Sequence, residues 1–265
     1  MATGVDERAL LNPRAGDGRL TLVRHPPSAS LAPYVDWYWI IRWNLDAPFE
    51  QEVIPNPAVN VVIGLHRAGI WGPHTTRFTA DLSGTGYVIG ALFHPGGFHP
   101  WLGRDVADIA NTSLPLATLF DEPALDASTD ATMIAAMETT LLAHPPAADA
   151  NIAIVRRAVD LARADPQMSR CDGLATQLEM SPRNLEHLFR RYVGVPPKWV
   201  VRRFRVQEAC ERTKTGEAPN WSQLASELGY FDQSHFIRDF KDQVGRTPAE
   251  YAAWCATRCS VPRTR

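Results

Sequence analysis

Between residues 174 and 248 the apolar positions fall into two similar sets. Leu174, Ala175 and Leu178 mark one face of a short helix, and a turn follows at Met180-Ser181-Pro182. Leu185, Leu188, Phe189 and Tyr192 then recur at the i, i+3, i+4, i+7 spacing of an amphipathic helix. Leu224, Ala225 and Leu228 repeat the first helix, Gly229-Tyr230-Phe231-Asp232 the turn, and Phe236, Phe240 and Val244 the second helix. Leu174 to Leu224 is an offset of 50, and Leu185 to Phe236 one of 51. Ser181 and Asp232 stand where helix N-caps belong, and Pro182 suits the first helical position. Gly194 and Gly245 close the second helix of each set, and Pro197 and Pro248 start the helices that follow. The helix between the sets, residues 197–212, has a length of ~24 Å at the usual rise per residue.

The N-terminal half has a different period. Trp37-Tyr38-Trp39-Ile40-Ile41-Arg42-Trp43 reads as a strand with Trp37, Trp39, Ile41 and Trp43 on one face. Val59-Asn60-Val61-Val62-Ile63 and Tyr87-Val88-Ile89-Gly90-Ala91-Leu92-Phe93 are further strands, closely punctuated by Gly and Pro. The pattern predicts a mainly-β barrel or jelly roll to about residue 104, with trailing helices to about 143. His144-Pro145-Pro146-Ala147-Ala148-Asp149-Ala150 breaks any helix and is poor in large apolar residues. The expected organisation is thus α+β: residues 1–143, a linker at 144–151, an all-α domain at 152–256 and a tail at 257–265.

Charge reinforces that division. The whole chain of 265 residues carries a formal −2, which by itself argues against a nucleic-acid partner. Residues 1–151, however, hold 8 Lys/Arg against 16 Asp/Glu, and 152–265 hold 19 against 13, so the parts are −8 and +6. Binding to phosphate depends on the local field, and the basic part can meet DNA without the acidic one. The four cysteines, Cys171, Cys210, Cys255 and Cys259, match no disulfide framework or zinc-finger spacing, which fits a reducing cytoplasmic setting. Asp6 and Glu7 and the absence of a long apolar run predict neither signal peptide nor membrane helix.

Two short helices joined by a tight turn, the second amphipathic with basic or amide side chains on its outer face, form a helix-turn-helix. A generic small bundle has no reason to duplicate the unit with the same turn and the same closing Gly. Apolar positions go to the core, so their opposites face a groove. In the first unit these are Arg183, Glu186, His187 and Arg190, with Arg183 suited to guanine O6/N7 and Glu186 to cytosine N4. In the second they are Gln233, Ser234, His235, Ile237 and Arg238, with Gln233 suited to adenine, Arg238 to guanine or phosphate, and Ile237 to a thymine methyl. Ile237 also fits as extra core beside Phe236 and Phe240. Lys198, Arg202, Arg203 and Lys241 are candidate phosphate contacts, and Arg205 fits either a phosphate or a structural hydrogen bond.

The run Gly229-Tyr230-Phe231-Asp232-Gln233-Ser234-His235-Phe236-Ile237-Arg238-Asp239-Phe240, followed by Gly245-Arg246-Thr247-Pro248 and Tyr251, resembles the signature of AraC/XylS transcriptional regulators. The resemblance covers about residues 155–254 and includes Ser181, Leu185, Phe189, Gly194, Pro197, Arg205 and Ala209; His187 stands where many members carry Arg. It implies double-stranded DNA as partner, and two recognition helices reading groove segments that repeat every ~34 Å. Such regulators often carry a cupin-like sensing domain, and Phe93-His94-Pro95-Gly96-Gly97 is similar to a motif in one subgroup. It further implies a small-molecule effector, RNA polymerase and a homodimer as candidate partners.

Trp37, Trp39, Trp43, Trp71 and Trp101 are a candidate effector pocket for an apolar or cationic ligand, although such large aromatics are more often core. His66, His74, His94 and His99 lack a His-x-His pair with a suitably spaced Glu, so neither metal nor cofactor is expected. A constitutive DNA reader whose N-terminal half serves dimerisation is the alternative to an effector-responsive one. A cupin-type metal enzyme ranks last, for want of a catalytic constellation.

Overall fold

A computed structural model describes residues 19–65, 67–164, 171–213 and 219–259. His66 and residues 260–265 of the expected tail lie outside them. Six strands form one antiparallel sheet, β1 (Leu20–His25), β2 (Val35–Val53), β3 (Asn60–Gly64), β4 (Arg67–Trp71), β5 (Phe78–Phe93) and β6 (Ser113–Pro115), in the order β1-β2-β5-β3-β4-β6. The architecture is α+β; the expected strands at 37–43 and 87–93 lie in β2 and β5, and that at 59–63 lies in β3 from Asn60 onward. The barrel is not closed, because β1 pairs with β2 and β6 with β4 at opposite edges. Three-residue β6 ends in Pro115, which has no N–H to extend a ladder.

Sheet register decides which face is core. Tyr38 and Ile40 of β2, Val61 and Ile63 of β3, Ile70 of β4, and Ile89 and Ala91 of β5 are all buried on one face. Helix α1 (His99–Leu102) and helix α2 (Asp130–Leu142), the latter through Met133, Met137 and Leu141, close over that face. Asp130 in the first turn of α2 accepts a hydrogen bond from His25 Nε2 at 2.8 Å and pairs with Arg42, fastening the helix to the strands.

Trp37, Trp39, Ile41 and Trp43 do share a face, as their spacing predicts, but it is the opposite one. Trp39 is in register with Gly90 and Trp43 with Gly86, and a Cβ at either glycine would lie 2.1 or 2.2 Å from a ring atom. Only the missing side chains leave room for the indoles. Trp39 Nε1 donates to Asn60 Oδ1 at 3.1 Å and Trp43 Nε1 to the Ser83 carbonyl at 3.2 Å, so the polar handles of both rings are used.

The helical region consists of α3 (Asn151–Ala164), α4 (Cys171–Gln177), α5 (Pro182–Tyr192), α6 (Pro197–Thr213), α7 (Trp221–Glu227), α8 (Gln233–Val244) and α9 (Pro248–Cys259). It has two cores. Val155, Val159, Leu185, Phe189 and Tyr192 pack with Val200, Val201 and Phe204 of α6, whereas Leu224, Phe236, Phe240 and Tyr251 pack with Val206, Ala209 and Cys210 further along it. One helix of 17 residues, ~25 Å long, therefore runs through both units. None of the helices among the described residues is long and apolar enough to cross a membrane.

The sheet grips the helical region at two places. At the first, α5 packs on the 3-10 turn Val106–Ile109; Arg190 Nε donates to Asp105 at 3.1 Å and Arg191 Nε to His99 Nε2, also at 3.1 Å. Burial first, then the Arg191 charge, holds the His99 pKa below its ordinary 6.5, which keeps the ring a neutral acceptor. At the second, the Glu52 carboxylate at the end of β2, only 8% exposed, pairs with Arg246 at 2.7 Å and Arg77 at 3.2 Å. Beside it Ile54 enters the second helical core, and Arg203 Nε donates to the Pro55 carbonyl at 2.6 Å.

Two measurements check this arrangement. Phe240→Ala, at a fully buried site, should cost about 3–5 kcal/mol in urea unfolding. Glu52→Gln should cost about 2 kcal/mol at neutral pH, because two guanidinium groups lose a charged acceptor. The Arg246 hydrogen bond holds the Glu52 pKa below 4.5, so this stabilisation is complete above pH 4.5 and is lost as pH falls through the depressed value. The gap between wild type and Glu52→Gln should close over that range.

Candidate DNA interface

Each helix-turn-helix is built by the same local chemistry. Ser181 Oγ accepts from the Asn184 N–H at 3.2 Å, and Asp232 Oδ1 from the His235 N–H at 2.7 Å, so both second helices begin with an occupied side-chain cap. Both finish at a left-handed glycine, Gly194 at φ 83° and Gly245 at φ 78°, a conformation costly for a residue with a Cβ. The Gly194 N–H bonds the Phe189 carbonyl and the Gly245 N–H the Lys241 carbonyl, each at 2.8 Å.

The apolar faces sort as their periodicity requires. Leu185, Phe189 and Tyr192 of α5 and Phe236, Phe240 and Val244 of α8 are buried. Arg183, Glu186, His187 and Arg190 on the other side of α5 are exposed, as are Gln233, Ser234 and Arg238 of α8. His235 and Ile237 are half-buried. Ile237 packs against the second helical core with part of its surface. His235 lies 3.5 Å from Asp239 and edge-on to the Tyr230 ring, with centroids 5.3 Å apart.

Several basic residues have tasks in the fold. Arg190 is ion-paired to Asp105 of the sheet region. Arg202, half-buried, lies 3.4 Å from Asp239, which it shares with His235. Arg203, expected among the phosphate contacts, is 2% exposed and ties α6 to Pro55, so it lies inside the protein and not on a DNA-facing surface. Sequence periodicity could not reveal this, because a neighbouring segment covers the polar side of α6. Lys198 and Lys241 are exposed. Arg205 takes the structural role: its guanidinium packs over the Tyr230 ring at 5.3 Å and donates to the Gly229 carbonyl at 3.3 Å, bracing the turn of the second unit.

The five tryptophans do not form one cavity. Trp37, Trp39, Trp43 and Trp71 are half-buried and, by register, share the sheet face opposite the core, where Arg24 lies 4.4 Å over the Trp37 ring. Trp101 is on the other side, packed edge-on to Tyr34 and Phe93, with its Nε1 donating to the Leu141 carbonyl. Trp43 also borders an open cleft of ≈610 Å³ with Arg19, Arg42 and Tyr87. His94 is half-buried 3.7 Å from Asp36, and its partial burial, reinforced by the nearby Arg156 charge, takes its pKa down to about 4. Among the described residues no group of three or more His, Cys, Asp or Glu side chains is placed to hold a metal.

Comparison with known proteins agrees with the helical geometry. Residues 174–253 match the family described as "Helix-turn-helix domain", and residues 23–115 match "Domain of unknown function (DUF6597)". A search of curated proteins found no match. Similar solved structures include a probable AraC family transcriptional regulator from Rhodopseudomonas palustris, 25% identical over 38% of this chain and 95% of its own, with a TM-score of 0.35. An AraC-type regulator from Chromobacterium violaceum is 26% identical over 37% and 88%, at 0.34. ToxT from Vibrio cholerae is 13% identical over 88% and 97%, at 0.39. With their paired caps, turns and closing glycines, residues 174–253 form two helix-turn-helix units, in agreement with the family model that they match.

Proposed function

We propose that this DNA-binding regulator reads two successive major-groove segments with α5 and α8, and that a small molecule on its sheet region adjusts how the two helices are held. The observation that carries this reading is that the C-terminal end of each recognition helix is fastened to the N-terminal region. Asp105 and His99 hold Arg190 and Arg191 of α5, and Glu52 holds Arg246 just beyond α8. Their N-terminal halves, which enter the groove in helix-turn-helix proteins, are left exposed. Arg183, Glu186 and His187 are the base-reading candidates of the first unit, and Gln233, Ser234, His235, Ile237 and Arg238 those of the second. Lys198 and Lys241 are the phosphate candidates. Arg190 meets DNA only where its bond to Asp105 yields.

Strand β2 is the route from effector to reader. It presents Trp37, Trp39 and Trp43 at one end and Glu52 at the other, roughly 30 Å from Trp43 along an extended chain. The register shift between Leu45 and Phe49 lies between them, where a bulge can change the strand's bend. A ligand with apolar or cationic character on the tryptophan face biases the position of Glu52 only if it binds two arrangements unequally. Residues 1–143 form the sensing part in this reading, and the segment 144–151 joins it to the reader.

Two outcomes check the proposal. Arg238→Ala should weaken specific binding by about 1–3 kcal/mol with selectivity lost at one base pair, whereas a uniform loss on every sequence would mark a phosphate anchor. A metabolite screen against the full chain on its selected duplex should find a compound that shifts DNA affinity, and Trp39→Ala should abolish the shift while leaving ligand-free affinity intact. Affinity unchanged by every compound would favour a constitutive reader.

A further inference from the structure

The two helix-turn-helix units differ by one residue, and the structure shows where it goes. Before the turn the units correspond at an offset of 50: α4 and α7 begin at Cys171 and Trp221, and Glu179 and Gly229 both have positive φ. The Met180 N–H bonds the Ala175 carbonyl at 3.0 Å, and the Tyr230 N–H bonds the Ala225 carbonyl at 2.9 Å. After the turn the offset is 51, from the cap Ser181 to the cap Asp232. Met180 runs directly into its cap, whereas between Tyr230 and Asp232 stands Phe231, which has no counterpart.

Phe231 is 96% exposed; among the described residues the next most exposed large apolar side chain, Leu65, is at 47%. A residue preceding an N-cap often packs back onto the fourth helical residue. Here Tyr230 fills that place, with its ring 5.3 Å from Phe236, so the fold has no use for the Phe231 ring. A turn needing one more residue is met by Ser, Asn or Gly without leaving an aromatic ring in water. Phe231 is also continuous with the exposed residues Gln233 and Ser234 at the start of α8, the end of a recognition helix that lies deepest among base edges.

We propose that Phe231 is a specificity-determining residue of the second unit, its ring packing on a thymine C5-methyl group at the edge of the base pairs read by Gln233 and Ser234. The proposal rests on the DNA-binding reading above. Phenyl has no hydrogen bond to offer phosphate, and the thymine methyl is the apolar feature that the major groove displays.

The test uses the full chain and the duplex it selects from a randomised library. On that duplex Phe231→Ala should bind about tenfold more weakly, the equivalent of about 1.4 kcal/mol, with affinity for unrelated DNA unchanged. Replacing thymines one at a time by deoxyuridine removes only the methyl. At one position this should weaken wild type about fourfold, as for one buried methyl-sized group of about 0.8 kcal/mol, and leave Phe231→Ala unaffected. Tm should not change. Equal affinities of the two proteins, a uracil effect common to both, no sensitive thymine, or a lowered Tm would each overturn the assignment. If wild type selects no duplex, the DNA-binding reading itself fails, at a step that precedes the variant.

Discussion

A carboxylate removed from water must be paired, and Glu52 meets that demand across two parts of the chain. Its oxygens engage Arg246 from the helical region and Arg77 from the sheet, and burial raises the cost of separating them. Around this bond Ile54 is inserted into the second helical core and Arg203 reaches the Pro55 carbonyl. Apolar burial and hydrogen bonding thus act at one place, where β2 ends against the second unit. The orientation of α8 relative to the sheet is fixed there.

The first unit is held by different chemistry. Neutral His99 accepts from Arg191 and packs at a tilt against Tyr192, ring centroids 4.2 Å apart, while Tyr192 Oη donates to Asp149 at 2.6 Å. Since α6 contributes to both helical cores, displacement at either grip is felt by both units, because close-packed side chains transmit strain. The duplicated units are consequently not identical in their surroundings: in the first, Arg190 is ion-paired to Asp105, whereas the second carries the additional, exposed Phe231.

Much of the helical region was legible because its signals are local. Ser181 and Asp232 cap, Gly194 and Gly245 close, and Pro197 and Pro248 restart helices through interactions within a few residues, so the sequence pattern is nearly the structure. Strands 37–43, 59–63 and 87–93 were legible for the same reason. The alternation in β2 showed that the tryptophans share a face. Which face is core could not follow from β2 alone, because Gly86 and Gly90, which receive Trp43 and Trp39, are more than forty residues away in the chain.

Candidate side chains divide along the same line. Those on the outer starts of α5 and α8 are exposed as helical period alone demands. Arg203 and Trp101 went elsewhere because Pro55 and the Leu141 carbonyl, each supplied by a distant segment, are their partners, and exposed Arg190 gains an ion pair to distant Asp105. The sequence by itself determined the duplicated helix-turn-helix, its caps and its exposed faces, since these depend on neighbours three or four residues apart. Only the tertiary structure decided that the sheet is open, that its tryptophans face away from the core, and that it holds both recognition helices by their ends, since those depend on contacts whose partners no local pattern specifies.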